Sequence, residues 1–208
     1  MGCKEVSLSE LSVLCDQIRI CQKCGLGRLR LKAVPGEGPE NASIMFIGEA
    51  PGWHENQQGR PFVGPAGQFL DELLASINLK RQDVYITNVI KCRPPENRDP
   101  LPDEIAACAD YLDRQIALIK PKVVVTLGRY SMARFFGQES ISRIHGQPRK
   151  VDDVIVFPMY HPAAALHQPR LRQDLINDMK KLPAILADLD KIVESKQAKE
   201  SPQQLSLF

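Results

Sequence analysis

Three side chains that can hold or move a proton, or read a polar edge, follow three different apolar runs of this chain. The carboxylate of Glu49 follows 44–47 inside Gly48-Glu49-Ala50-Pro51-Gly52. The amide of Asn88 follows 84–87, and the imidazole of His161 follows 154–157 through Pro158-Met159-Tyr160. A Gly-Glu or His-Pro pair alone is commonplace in loops. Three such groups on strand ends of one sheet mark a site, because an open parallel sheet binds ligands beyond the carboxyl ends of its strands.

The cysteines offer a second chemistry. Cys21-Gln22-Lys23-Cys24 is a C-x-x-C pair whose turn brings both sulfurs to one face, and Cys92 and Cys108 are separated by fifteen residues. A cytosolic chain keeps such thiols reduced, so they read as metal ligands rather than disulfides. Four thiolates complete a tetrahedral zinc site or bind a [4Fe–4S] cube. Spacing alone does not choose, since the double C-x-x-C of a zinc ribbon and a compact ferredoxin run are both missing. Cys108 also falls on an apolar helix face, where a core cysteine is common. Cys15 fits that description better and is left out of the site. Cys3 stands outside any pairing pattern.

Positioning these groups takes strands and helices. Ile44-Met45-Phe46-Ile47, Val84-Tyr85-Ile86-Thr87, Val123-Val124-Val125-Thr126-Leu127 and Val154-Ile155-Val156-Phe157 read as buried parallel strands. Ser7-Leu8-Ser9-Glu10 has the form of a capping box and opens a helical stripe of Leu8, Leu11, Leu14, Cys15 and Ile18. Phe69, Leu70, Leu73, Leu74 and Ile77 form a second helical face. Ile105, Cys108, Ala109, Leu112, Ile116 and Ile119 form a third, and a last helix is predicted near 171–193. Alternating strands and helices predict an α/β fold with a parallel sheet covered on both faces.

The chain has 208 residues, 43% of them hydrophobic, enough for one α/β domain with a full core and a short tail. No apolar run approaches the roughly 20 residues that span a bilayer. Met1-Gly2-Cys3-Lys4-Glu5 lacks a secretory pattern, so a soluble cytoplasmic protein without membrane contact is expected. A net charge of +2 says little about partners. Basic residues do recur in loops, at Arg28, Arg30 and Lys32, at Arg143, Arg149 and Lys150, and at Arg170 and Arg172. They read as a phosphate-binding surface or as ordinary solvated charge.

Four segments carry a family resemblance: Gly48-Glu49-Ala50-Pro51-Gly52, Gly59-Arg60-Pro61-Phe62-Val63-Gly64-Pro65-Ala66-Gly67, Thr87-Asn88-Val89 and His161-Pro162-Ala163-Ala164-Ala165-Leu166. With the four cysteines in order and spacing, the chain resembles the family 4 uracil-DNA glycosylases over about residues 8–190. The resemblance implies an α/β/α sandwich around a central four-stranded parallel sheet, in a domain spanning 1–193. It also implies a [4Fe–4S] cluster on Cys21, Cys24, Cys92 and Cys108, favouring iron over zinc. The implied activity is monofunctional base-excision repair: uracil is flipped out of DNA and its N-glycosidic bond hydrolysed, leaving free uracil and an abasic site.

Residue roles follow from that resemblance. Phe62 stacks on the flipped uracil, and Gly48 is another residue of the substrate pocket. Asn88 reads uracil O4 and N3–H, a pattern that cytosine reverses. A neutral His161 donates to uracil O2 and stabilises the departing anion. Glu49 orients or deprotonates the water and favours the oxocarbenium-like sugar. Glu55 stands near uracil C5, where a thymine methyl clashes. Leu166 and His167 belong to the wedge that fills the vacated stack, and Arg170 holds a phosphate. Pro95 belongs to the stiff loop 94–100 that compresses the strand. Arg143-Ile144-His145 echoes a loop of a variant branch in which the histidine traps the sugar. Here it follows the third strand rather than the second, and is read as coincidence.

Beyond 193 the composition turns polar, predicting a flexible tether over 194–203. Gln204-Leu205-Ser206-Leu207-Phe208 resembles the bacterial sliding-clamp binding peptide, with Gln204 as anchor and Leu205, Leu207 and Phe208 entering an apolar pocket. Expected partners are uracil-containing DNA, single- or double-stranded, and the clamp, with the chain a monomer. A metal-stabilised DNA-binding module without activity is the rival reading, and a hydrolase with a four-cysteine zinc site is another. The convergence of Glu49, Asn88 and His161 favours the enzyme, because a mere binder needs no such set.

Overall fold

The computed structural model describes residues 9–189; Cys3, Ser7, Leu8 and the predicted tether and clamp peptide lie outside the described residues. Five strands form one sheet: β1 (Ile44–Gly48), β2 (Tyr85–Asn88), β3 (Val123–Leu127), β4 (Arg149–Val151) and β5 (Val154–Met159), in the order β2-β1-β3-β5-β4. The helices are α1 (Glu10–Ile20), α2 (Leu26–Leu29), α3 (Trp53–Gln58), α4 (Pro65–Ala75), α5 (Pro102–Ile119), α6 (Arg129–Phe136), α7 (Ile141–Ile144), α8 (Pro162–Ala165) and α9 (Pro169–Met179).

The four predicted strands are parallel neighbours, as their uninterrupted apolar runs require. Side chains alternate between two cores. Ile44 and Phe46 of β1 face the layer of α4, α8 and α9, while Met45 and Ile47 face α1 and α5. β4 adds a fifth, antiparallel edge strand that the four-strand expectation lacks. It is short and polar, Arg149-Lys150-Val151, so it carries no apolar signal. A turn places Asp152 at φ +51° and pairs it back on β5.

Three helical expectations shift. The cap of α1 is Ser9, whose Oγ accepts the Ser12 amide at 3.1 Å, so the helix opens at Glu10 rather than on a Ser7 box. α5 buries Glu104, Tyr111 and Gln115 beside Cys108, Leu112 and Ile119, leaving Ile105 and Ile116 only half-buried. The last predicted helix is interrupted by a turn at 180–181 before helix resumes at 182. No helix among the described residues is long and apolar enough to cross a membrane.

Candidate active site

A pocket of about 280 Å³ opens at the carboxyl ends of β1, β2 and β5 and gathers Glu49, Glu55, Phe62, Asn88 and His161 with the loop around 94–100. Gly48 and Asn88 are register partners across β1 and β2. A methyl on Gly48 would collide with Asn88 Oδ1 and stand 2.5 Å from Phe62 Cζ, so glycine is what allows the amide and the ring to meet there.

Asn88 is fully buried, and its Oδ1 has no hydrogen-bond partner. A buried polar atom left unpaired costs about 1–3 kcal/mol. Facing a pocket, it is an acceptor waiting for a ligand N–H.

Phe62 is buried in an unusual backbone conformation, φ +51°, which a bulky side chain rarely adopts. Several groups hold it there. Arg81 donates to the carbonyls of Pro61 at 2.5 Å and Phe62 at 3.0 Å. Glu55 Oε1 accepts the amides of Val63 at 2.8 Å and Gly64 at 2.9 Å, and Oε2 accepts that of Gly52 at 3.1 Å. Gly67 leaves room for the Phe62 carbonyl against the start of α4. Glu55 thus borders the pocket while tying together the loops on either side of it.

His161 is the N-cap of α8, and its Nδ1 accepts the Ala163 amide at 3.1 Å. With Nδ1 accepting, the proton of a neutral imidazole sits on Nε2, free to donate. Burial pushes its pKa down to about 4, opposed by the charge of Glu55, so the ring is neutral at physiological pH. Its plane lies 27° from that of Phe62, centroids 5.6 Å apart.

Glu49 is half-buried at the mouth of the pocket. Burial raises its pKa, while the Tyr130 amide, 3.5 Å from Oε1, and the Arg129 charge pull it down. Gly128, at φ +95°, leaves the gap in which the Glu49 carboxylate passes beside His161.

The expected DNA-contact residues are not part of the pocket. Leu166, His167 and Arg170 are exposed just beyond α8, and Pro95 is exposed on the rim loop. That loop carries two successive left-handed residues, Glu96 and Asn97. Arg98 ties it to α5 through Glu104 at 2.6 and 2.9 Å, and Asp99 pairs with Arg129. Of the basic residues expected in loops, Arg149 instead lies on β4 and pairs with Glu139, and Arg172 lies on α9 and pairs with Glu72. His145 lies apart from the pocket, its Nδ1 2.7 Å from the buried carboxylate of Asp178, which also takes Lys181. Gly128 stands at the end of the third strand, while nothing local in the sequence marks Arg81 or Lys91.

Cys21, Cys24, Cys92 and Cys108 line one small cavity between α1, α2, α5 and the loop after β2. Arg30 Nη1 donates to Cys92 Sγ at 3.1 Å and the Lys23 amide to Cys21 Sγ at 3.4 Å. Cys15, half-buried, is not among the lining residues. Among the described residues, no group of three or more His, Cys, Asp or Glu side chains is placed to hold a metal ion.

A mostly parallel sheet whose strand ends meet a buried aromatic ring, an unpaired amide oxygen, a neutral imidazole and a carboxylate has the arrangement of an α/β enzyme's active site. The profile of the uracil DNA glycosylase superfamily matches residues 35–188. The chain is 49% identical over 185 residues to the Type-4 uracil-DNA glycosylase of Sulfurisphaera tokodaii, covering 84% of each chain. It is 47% identical to that of Archaeoglobus fulgidus, with 84% of this chain and 92% of the other covered. The Type-4 enzyme of Thermotoga maritima is 39% identical over 85% of this chain and 94% of its own. The chain belongs to the uracil-DNA glycosylase superfamily.

Proposed function

We propose that this chain excises uracil from DNA in base-excision repair, hydrolysing the N-glycosyl bond at the pocket formed by Phe62, Asn88, His161 and Glu49. The observation that carries the reading is the unpaired Asn88 Oδ1 at the pocket wall. Uracil N3–H satisfies it, and its amide nitrogen then meets O4. Cytosine offers an acceptor at N3 and leaves the oxygen unpaired.

The flipped base lies on Phe62, and His161 Nε2–H donates to O2 as negative charge builds on the departing ring. A neutral donor suits this step, because it stabilises the anion without first losing a proton to it. Glu49, as carboxylate, faces the sugar side, orients water and favours the developing positive charge. Glu55 borders the position of C5 and excludes a methyl there. The exposed Leu166 and His167 supply the wedge, Arg170 a phosphate contact, and Pro95 with its loop the compression of the strand.

Four soft thiolates fit a [4Fe–4S] cube. The four sulfurs ring a common cavity without gathering as ligands of a single ion, and cationic Arg30 and Lys91 line the same space. Such a cluster would tie α1 to the loop after β2 and so fix the rim of the pocket, an architectural role. The domain spans 1–193, followed by a tether over 194–203 and a clamp-binding peptide at 204–208.

The test is a cleavage assay on a uracil-containing oligonucleotide with wild type, Asn88→Ala and His161→Ala. Abasic product from wild type, with losses of about 10²-fold or more in each variant, is expected. A cluster-loaded wild type that makes no abasic product would sink the reading.

A further inference from the structure

Lys91 has no place in the chemistry above, yet it is one of the largest fully buried side chains in the protein. It stands next to Cys92 in sequence, and its Nζ makes three contacts of 2.7 Å, to Thr87 Oγ1, to the Asn88 backbone oxygen and to Gln115 Oε1. The donor and acceptor pattern fixes its charge. Thr87 gives its own proton to the Pro35 carbonyl at 2.8 Å. Gln115 Nε2 donates to the same carbonyl and to Tyr85 Oη at 2.9 and 3.0 Å. All three neighbours of Nζ are therefore acceptors, and one nitrogen facing three acceptors is an ammonium.

Every one of those acceptors is neutral. Among the described residues the Lys91 ammonium has no carboxylate partner, and its main-chain carbonyl accepts the Val34 amide at 2.8 Å. A buried charge without a counter-charge is costly, and protein interiors hold one only when something opposite stands near. Lys91 also lines the cavity shared by Cys21, Cys24, Cys92 and Cys108, so thiolates holding a cluster there would supply the opposite charge.

We infer that Lys91 is a positioning residue, the buried counter-charge of the four-thiolate site, and that through the Asn88 carbonyl it ties the strand end bearing the uracil reader to that site. The inference rests on the iron–sulfur reading. Four thiolates around a cube leave net negative charge at the cavity, and that charge completes an ammonium that is otherwise unbalanced. The positive end touches the main chain of Asn88, whose side-chain oxygen lies in the pocket. Cluster and reader thus share one residue.

The test uses the full-length, cluster-loaded protein. Lys91→Met keeps the length of the side chain and removes the charge. Its absorbance near about 400 nm should decay under a chelator about tenfold faster than in wild type. The cluster should become harder to reduce, and kcat of the loaded fraction should fall with KM for DNA little changed. A loaded Lys91→Met protein with wild-type decay, potential and kcat overturns the inference and leaves the function intact.

Gln115→Glu covers the case in which Lys91→Met does not fold. It gives the ammonium a carboxylate at the same place, so the gap in Tm between cluster-free and loaded protein should narrow relative to wild type. An unchanged gap refutes the counter-charge. Wild type lacking both iron and acid-labile sulfide on metal analysis would instead bring down the iron–sulfur reading itself.

Discussion

The rings of Phe62 and His161 face each other at 5.6 Å between centroids and 27° between planes. That separation is within the range of direct aromatic contact. In the proposed reading the base lies on Phe62 and turns its edge to His161, so that Nε2–H can donate to O2. Phe62→Leu keeps apolar volume and loses the flat face. Its kcat/KM should fall about tenfold, near the low end of the ~1–3 kcal/mol that base–aromatic stacking contributes. Steady-state kinetics on a short uracil-containing duplex checks this, and an unchanged value would remove Phe62 as the stacking platform.

Gly48 gives a sharper test of the same wall. Its Cβ space is occupied by Asn88 Oδ1 and Phe62 Cζ. Gly48→Ala should leave the sheet folded by circular dichroism while cutting kcat about 10²-fold or more, the loss also expected of Asn88→Ala, because one displaces the reader and the other removes it. The double variant should be no worse than the poorer single one, since the two act on one contact. Additive losses would separate the two positions.

The acid side of the pH profile follows from two opposite displacements. Burial raises the Glu49 pKa and lowers that of His161 to about 4. The proposed chemistry needs Glu49 as carboxylate and His161 neutral, so the acid limb of kcat/KM should be set by Glu49 and rise with pH. Glu49→Gln should lower the rate and move the remaining limb toward about pH 4, where His161 protonates.

Stability has its own sign. Above about pH 6.5 the imidazole is neutral in both folded and unfolded chains. As pH falls from there, only the unfolded chain takes up the proton, so stability drops until the folded ring titrates. The loss is no more than about 3 kcal/mol. His161→Gln should lose less stability between pH 7 and pH 4.5 in urea melts, and an equal loss would mean that the ring is not buried neutral.

Glu55 joins Gly52 to Val63 and Gly64 by three backbone hydrogen bonds. Glu55→Ala leaves those amides unpaired and should cost about 2–4 kcal/mol in denaturant melts, together with kcat/KM through the loosened Phe62. Glu55→Gly also opens the space proposed for C5. A trace of thymine excision is expected from it, and unaltered rejection of thymine would count against that role.

The C-terminal peptide makes an independent prediction. Deleting 204–208 should abolish capture by a bacterial sliding clamp while excision on short oligonucleotides, which need no clamp, stays at the wild-type rate. Equal clamp binding by the truncated chain would end the proposal.

The sequence by itself determined the sheet and most of its site. Four apolar runs are buried on both faces, and such strands leave a continuous signal that needs no tertiary knowledge. Because strand ends in a parallel sheet share one rim, Glu49, Asn88 and His161 were legible as neighbours from their places alone. The cysteine spacing likewise named four sulfurs that line one cavity.

Other features came only with the tertiary structure. β4 is polar and three residues long, so nothing in its composition distinguishes it from a loop until β5 pairs with it. Glu104 and Gln115 are buried on α5, against the apolar periodicity, because Arg98 and the Leu101 amide satisfy the first and the distant Pro35 and Tyr85 the second. The left-handed turn of Phe62 depends on Arg81 and Glu55, 19 and 7 residues away in sequence. Lys91 reads as one more surface lysine until Thr87, Asn88 and Gln115 close around it. The sequence could name the reacting groups, since type and strand-end position suffice for that. Which polar side chains are buried to hold them depends on hydrogen-bond partners that only folding brings within reach.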